Sequence, residues 1–265
     1  MSSFVQRGIS GLIYVILFIG ASLYSSESFV TLTGVFGLIC IREFSKMINA
    51  KAYAAYAVFV ALIVYFVLQE GTIDGILILL IIALSGSIHV LYYLYFNKMK
   101  IPKNQILKED LLIRYLVLSF GFLMLLPFSR GAYEPFIIIY ILVLIWSNDS
   151  FAYLVGKNFG KRKLFESVSP KKTIEGFVGG IIFTIVAAVI VSYYSDLFSR
   201  IHWIILSVMV SVLGTIGDLV ESKFKREAKI KDSGNIMPGH GGMFDRLDSL
   251  LFIAPFVYLY IYFLN

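Results

Sequence analysis

Long apolar runs separated by short polar loops occupy most of the chain and leave few folds open to it. A run of about 20 apolar residues matches the hydrocarbon thickness of a bilayer. Inside that layer the backbone must satisfy its own polar groups, as a helix or as a closed barrel. Hydropathy gives nine runs, at 9–25, 28–45, 53–69, 73–96, 111–128, 135–156, 174–195, 201–220 and 247–264. None shows the period-two alternation of a strand. The expected fold is therefore all-α, a polytopic integral membrane protein of about nine transmembrane helices. Only 15% of residues are charged, against about 25% in soluble domains, which excludes an ordinary soluble core. The first run ends in "GASLYSSES", without a small-x-small cleavage site, and reads as a retained helix. The single cysteine, Cys40, lies in an apolar run and allows no internal disulfide.

The loops alternate in charge. Of the 23 lysines and arginines, Arg130 and Arg200 alone fall in the loops of one side and Arg114 lies in a span; the other 20 belong to the opposite side. Basic residues are retained on the cytoplasmic side of a membrane. The N-terminus is then expected in the cytoplasm and the C-terminus outside. Two sections follow: helices of residues 1–128, and a catalytic region of 129–265 whose two longest loops, 157–173 and 221–246, face the cytoplasm.

Those loops, and the span ends beside them, hold the residues that can do chemistry. Asn148 and Asp149 interrupt the sixth span, and Asp218 stands near the cytoplasmic end of the eighth. A carboxylate within a membrane costs about 2.5–3.5 kcal/mol on insertion scales, so it needs a partner or a function. Asp245 and Asp248 are three apart at the start of the ninth span, on one helical face. Hard cations such as Mg²⁺ take a few carboxylates together with phosphate oxygens. In "PGHGG", Gly239, Gly241 and Gly242 let a backbone bend around an anion just before a helix begins. His240 has neither a second nearby histidine nor a cysteine, which argues against zinc. In "SPKKTIEG", Ser169 can cap a helix that Pro170 starts, aiming Lys171 and Lys172 at the site. Ser222 shares the face of Asp218 at i+4, and Lys225 and Arg226 follow it. Lys157, Lys161, Arg162 and Lys163 read as plain membrane anchors. Carboxylates for metal and cations for phosphate together suit phosphoryl or nucleotidyl transfer.

At these residues the chain resembles a known family. "SKFKREAKIKDSGNIMPGHGGMFDRLD" is similar to the signature of the phosphatidate cytidylyltransferases, the CDP-diacylglycerol synthases. The shared positions include Ser222, Lys225, Arg226, Lys231, Asp232, Pro238, His240, Gly241, Gly242, Asp245, Arg246 and Asp248. Met237 departs from the branched aliphatic or Phe that is usual there. "SPKKTIEG" resembles a second motif, with Ile174 where Trp is common, and "NDSFAYLVGKNFGK" a third. The motifs cover about 147–248.

The resemblance implies that CTP and phosphatidic acid give CDP-diacylglycerol and pyrophosphate with Mg²⁺, leaving a second cation open. It implies a cytoplasmic (inner) membrane enzyme whose active site faces the cytoplasm. Asp218 and Asp245 are the expected metal ligands, with Asp248 and Asp149 next. The expected catalytic set is Asp218, Asp245, His240, Lys225 and Arg226. Substrate contacts are expected from Ser222, Lys171, Lys172, Lys231, Gly241, Gly242, Arg246 and Asn148. The partners are CTP, phosphatidic acid and the lipid bilayer, with no nucleic acid; a homo-oligomer stays open. Two rivals remain: a CTP- or ATP-dependent lipid or polyprenol kinase built from similar parts, and an anion transporter. A transporter would set its polar residues near the midplane in paired halves, and no repeat is evident.

Overall fold

Each of the nine apolar segments forms a helix, and the ends follow from local chemistry. The computed structural model describes residues 3–67, 73–96, 100–237, 239 and 241–264. The first helix, α1, runs Ser3–Tyr24. It hands over to α2, Ser26–Ile48, through a capping box in which Ser25 and Ser28 exchange side-chain-to-backbone bonds. Asn49, in the left-handed region at φ 53°, stops α2. Then come α3 (Tyr53–Val67), α4 (Ile73–Tyr95) and α5 (Gln105–Phe128). The second section has α6 (Pro135–Phe159), α7 (Ile174–Tyr194), α8 (Arg200–Glu227) and α9 (Phe244–Tyr262). Six of these, α2 and α4 to α8, are long and apolar enough to cross a membrane; the apolar stretches of α1 and α3 are shorter.

Burial sorts the helices into centre and rim. The most apolar stretch of α5 is 78% buried, against 28% for α4 and 33% for α7. On the rim helices the exposed residues are apolar and recur about a turn apart, as Ile78, Ile81 and Ile88 on α4 and Ile182, Val186 and Ile190 on α7. Such stripes suit contact with lipid tails. The central α5 carries a π-helical stretch, Leu112–Val117, and Gly86 of α4 lies against it. A Cβ on Gly86 would sit 2.7 Å from the Arg114 carbonyl. Within the bundle Arg114 binds Asp110 and reaches Ser85 and His89, each at 3.3 Å. His202 meets the Tyr260 hydroxyl at 2.8 Å.

One expectation fails in the first of the two polar loops of the second section. Ser169 does not cap a helix. Ser169–Thr173 is a strand, β2, paired antiparallel with β1, Lys163–Phe165, so an otherwise helical chain carries a small hairpin. Pro170 has no N–H for a ladder, and β2 bulges between the pairs Phe165–Ser169 and Lys163–Thr173. The cap of α7 is Thr173, whose Oγ1 accepts from Gly176 N at 3.1 Å. Glu175 then turns back and accepts from the amides of Lys161 at 2.9 Å and Arg162 at 3.1 Å. The hairpin is thus tied to the helix that follows it.

Two close approaches set the spacing of the second section. A Cβ on Gly176 of α7 would lie 2.6 Å from the carbonyl of Ala152 on α6. One on Gly217 of α8 would lie 2.7 Å from Cβ of Phe252 on α9 and 2.9 Å from the carbonyl of Asp248. Ser249 Oγ also donates to the carbonyl of Gly214 at 3.0 Å. These contacts hold α6 against α7 and α8 against α9.

Candidate active site

On α8, Asp218 and Glu221 are three residues apart and share a face. Asp248 reaches that face from the first turns of α9, because Gly217 lets the two helices meet closely. One carboxylate oxygen from each of the three residues lies within 4.8 Å of the others. Glu221 is buried, and its Oε1 has no hydrogen-bond partner. Its other oxygen pairs with Lys225, one turn along. An orphaned buried carboxylate oxygen beside two further carboxylates is a hard-donor set suited to a divalent cation.

Cations surround the acids. Lys172, carried on the bulged strand β2, is ion-paired with Asp218, and Ser222 Oγ donates to Asp218 Oδ1 at 3.2 Å. Beside them opens a cavity of about 640 Å³ between α6, the hairpin, α7 and α8. Its polar lining includes Asn148, Asp149, Lys157, Lys163, Lys171, Lys172, Thr215 and Asp218. Asn148 is buried, gives Nδ2 to Asp149 at 3.3 Å, and leaves its Oδ1 without a partner. Lys157 and Lys163, expected only to anchor the loop, therefore face the same space as Lys171 and Lys172.

Asp245 is placed differently from the other acids. Its Oδ1 accepts from Lys225 Nζ at 2.7 Å. Its Oδ2 accepts from the amide of Ser233 at 2.8 Å, the hydroxyl of Ser233 at 3.0 Å and the amide of Gly242 at 2.7 Å. The amides of Met243 and Phe244 are bound in turn by Glu43 of α2, at 3.1 and 2.8 Å. The amide of Gly241 donates to the carbonyl of Met237, and that of Met237 to the carbonyl of Gly241. In the glycine turn expected to wrap an anion, the amides of Gly241 and Gly242 are thus taken by a carbonyl and a carboxylate of the protein itself. Gly241 stands at φ 93°, where a side chain is strained, and a Cβ there would lie 2.6 Å from Asp245 Oδ2.

The structure brings together Asp218, Asp248, Ser222 and Lys172, with Asn148, Asp149 and Lys171 along the adjoining cavity. Lys225 and Asp245 sit behind the acids as a pair. Arg226, Lys231 and Arg246 are exposed and outside the cavity lining, and Gly242 is buried in the turn. His240 and Pro238 lie outside the described residues. Two acids were missed. Glu221 was legible as the i+3 neighbour of Asp218 in "GDLVES"; Glu43 carried only the signal of an acid within an apolar span.

Comparison with known proteins agrees with the signature. The chain matches the cytidylyltransferase family over residues 5–264. It is 35% identical to a phosphatidate cytidylyltransferase of Bacillus subtilis, over 96% of both chains. It is 29% identical to one from Staphylococcus haemolyticus, over 94% of this chain and 95% of that one. A third, from Staphylococcus aureus strain COL, is 48% identical over 120 residues, 44% of this chain and 46% of that one.

Proposed function

Since the chain belongs to the cytidylyltransferase family, we propose that it transfers the cytidylyl group of CTP to phosphatidate. The products are CDP-diacylglycerol and pyrophosphate. A phosphate oxygen of phosphatidate bonds to the α-phosphorus of CTP, and the bond from that phosphorus to the bridging oxygen breaks. Pyrophosphate leaves with the electron pair. A phosphate monoester is already largely ionised near neutral pH, so positioning and charge stabilisation carry the reaction rather than a strong base.

The observation that carries this reading is the lysine-lined cavity ending at Asp218, inside a bundle with lipid-facing helices. Four lysines can receive a triphosphate, and the apolar surround can receive a diacyl tail. Asp218, Glu221 and Asp248 would hold Mg²⁺, and Asp149, which lines the adjoining cavity, would serve a second cation. A bound divalent cation would neutralise charge on the reacting phosphates. Lys172 and Lys171 hold and orient phosphate oxygens; Ser222 keeps Asp218 in its rotamer; Lys225 and Asp245 brace the first turn of α9. Asn148, at the edge of the cavity, gives its amide to Asp149 and holds that acid in place.

Topology supports a site open to the cytoplasm, because the basic loops and the acids share one end of the bundle. The N-terminus then lies in the cytoplasm, and the membrane is the inner, cytoplasmic one. Helices α1 to α5 form a wall around the catalytic section. The test is purified protein with phosphatidate, labelled CTP and Mg²⁺. CDP-diacylglycerol and pyrophosphate are expected. A phosphorylated lipid with released CDP would instead identify a kinase.

A further inference from the structure

We propose that Glu43 is a positioning residue for this transfer, setting the first turn of α9 from the distant helix α2. The inference rests on the functional reading above and adds a residue that the signature does not contain. Glu43 is only 7% exposed although it stands in an apolar helix. Its Oε1 accepts from the amide of Met243 and its Oε2 from the amide of Phe244 and the hydroxyl of Ser233, the last at 3.2 Å. The first amides of a helix have no partner within the helix, and a carboxylate there also answers the positive end of its dipole. Glu43 is therefore an N-terminal cap supplied from another part of the chain.

The fit around it is close. A Cβ on Gly234 would lie 2.8 Å from Glu43 Cδ, and one on Gly242 would lie 2.6 Å from Oε2. The neighbouring Phe44 meets Phe224 of α8 and Phe244 of α9, with ring centroids 5.1 and 5.3 Å away. Glu43 and Asp245 also work on the same segment. Asp245 binds the Gly242 amide, Glu43 the next two amides, and both accept from the Ser233 hydroxyl. Asp248 follows Asp245 by three residues on α9, so its distance from Asp218 and Glu221 depends on where this turn is held. Among the described residues Glu43's bonds go to Ser233, Met243 and Phe244, none of which lines the cavity, so it acts through that turn.

Three variants test the assignment: Glu43→Gln, Glu43→Asp and Ser233→Ala. Gln keeps the length and one acceptor oxygen, whereas Asp is a methylene too short to reach from α2. Hydrogen exchange at Met243 and Phe244 is read without substrate or metal; kcat and KM are read per folded molecule. Exchange should quicken in Glu43→Gln and more in Glu43→Asp. Their kcat should fall about tenfold and about a hundredfold, with KM for phosphatidate within about twofold of wild type. Ser233→Ala should fall between wild type and Glu43→Gln. Unchanged exchange, or faster exchange with wild-type kcat per folded molecule, overturns the positioning role. A wild-type protein that makes no CDP-diacylglycerol overturns the functional reading instead, and the exchange arm separates the two failures.

Discussion

Lys172 of the hairpin is ion-paired with Asp218 of α8, joining the cationic wall of the cavity to the acidic cluster at its end. Both side chains are about one-third exposed, at 28 and 35%. A pair of that kind adds less than about 1 kcal/mol to stability. Its interest is therefore functional.

Replacing Lys172 with Met should leave the melting temperature within a few degrees of wild type. It should also lower kcat/KM for CTP about a hundredfold, the loss of one charge-assisted phosphate contact. Steady-state kinetics beside a thermal melt in detergent measure both. A large fall in stability with unchanged kcat/KM would make Lys172 a structural residue.

The acids should separate into two groups. Glu221→Gln and Asp248→Asn should remove binding of Mn²⁺, followed by electron paramagnetic resonance, and abolish turnover while the fold survives. Asp245→Asn should behave otherwise, because it breaks a pattern of four donors around one carboxylate. Hydrogen bonds to charged groups contribute about 1.5–3 kcal/mol each, so its main effect should be a lower melting temperature. Equal metal loss in all three variants, with equal stability, would return Asp245 to the ligand set.

Gly214 and Gly217 make a paired test on α8. A Cβ at Gly214 would lie 3.6 Å from Ser249 Cβ, an ordinary contact. Gly214→Ala should be neutral, or stabilising by up to about 1 kcal/mol from helix propensity. Gly217→Ala must push α9 away and should cost about 1–3 kcal/mol, with activity falling further than stability as Asp248 leaves Asp218. Denaturation curves and turnover of the two variants decide it; an active, stable Gly217→Ala protein would show that the acids tolerate separation.

The sidedness has a direct check, because Cys40 is buried and gives little background. Ser199→Cys should react with an impermeant thiol reagent added outside intact cells, and Ser167→Cys should react only after the cells are opened. Labelling of Ser167→Cys from outside would turn the site to the opposite face.

Apolar length made the helices legible, and the spacings of Asp218 with Ser222 and of Asp245 with Asp248 were legible too, because helical periodicity is a local property. The hairpin was not legible. Its strands are short, and what holds them is Glu175 reaching back to the amides of Lys161 and Arg162. The bonding of Asp245 was hidden for another reason. An acid beside a glycine turn looks the same in sequence whether its oxygens face an ion or the amides of Ser233 and Gly242. Lys157 and Lys163 read as membrane anchors because only the folded chain, the end of α6 and the strand β1, sets them along the cavity.

The bond from Phe244 to Glu43 spans 201 residues, so the site has an order of assembly. A ribosome releases α2 long before α9, and contacts so distant in sequence form late and slowly. Until α9 arrives, Asp248 is missing from the cluster and Glu43 lacks the amides that satisfy it. A nascent chain stalled after α8 would carry the residues that line the cavity but lack one of the three clustered carboxylates. The three acids thus meet only when α9, the last of these helices to emerge, joins the bundle.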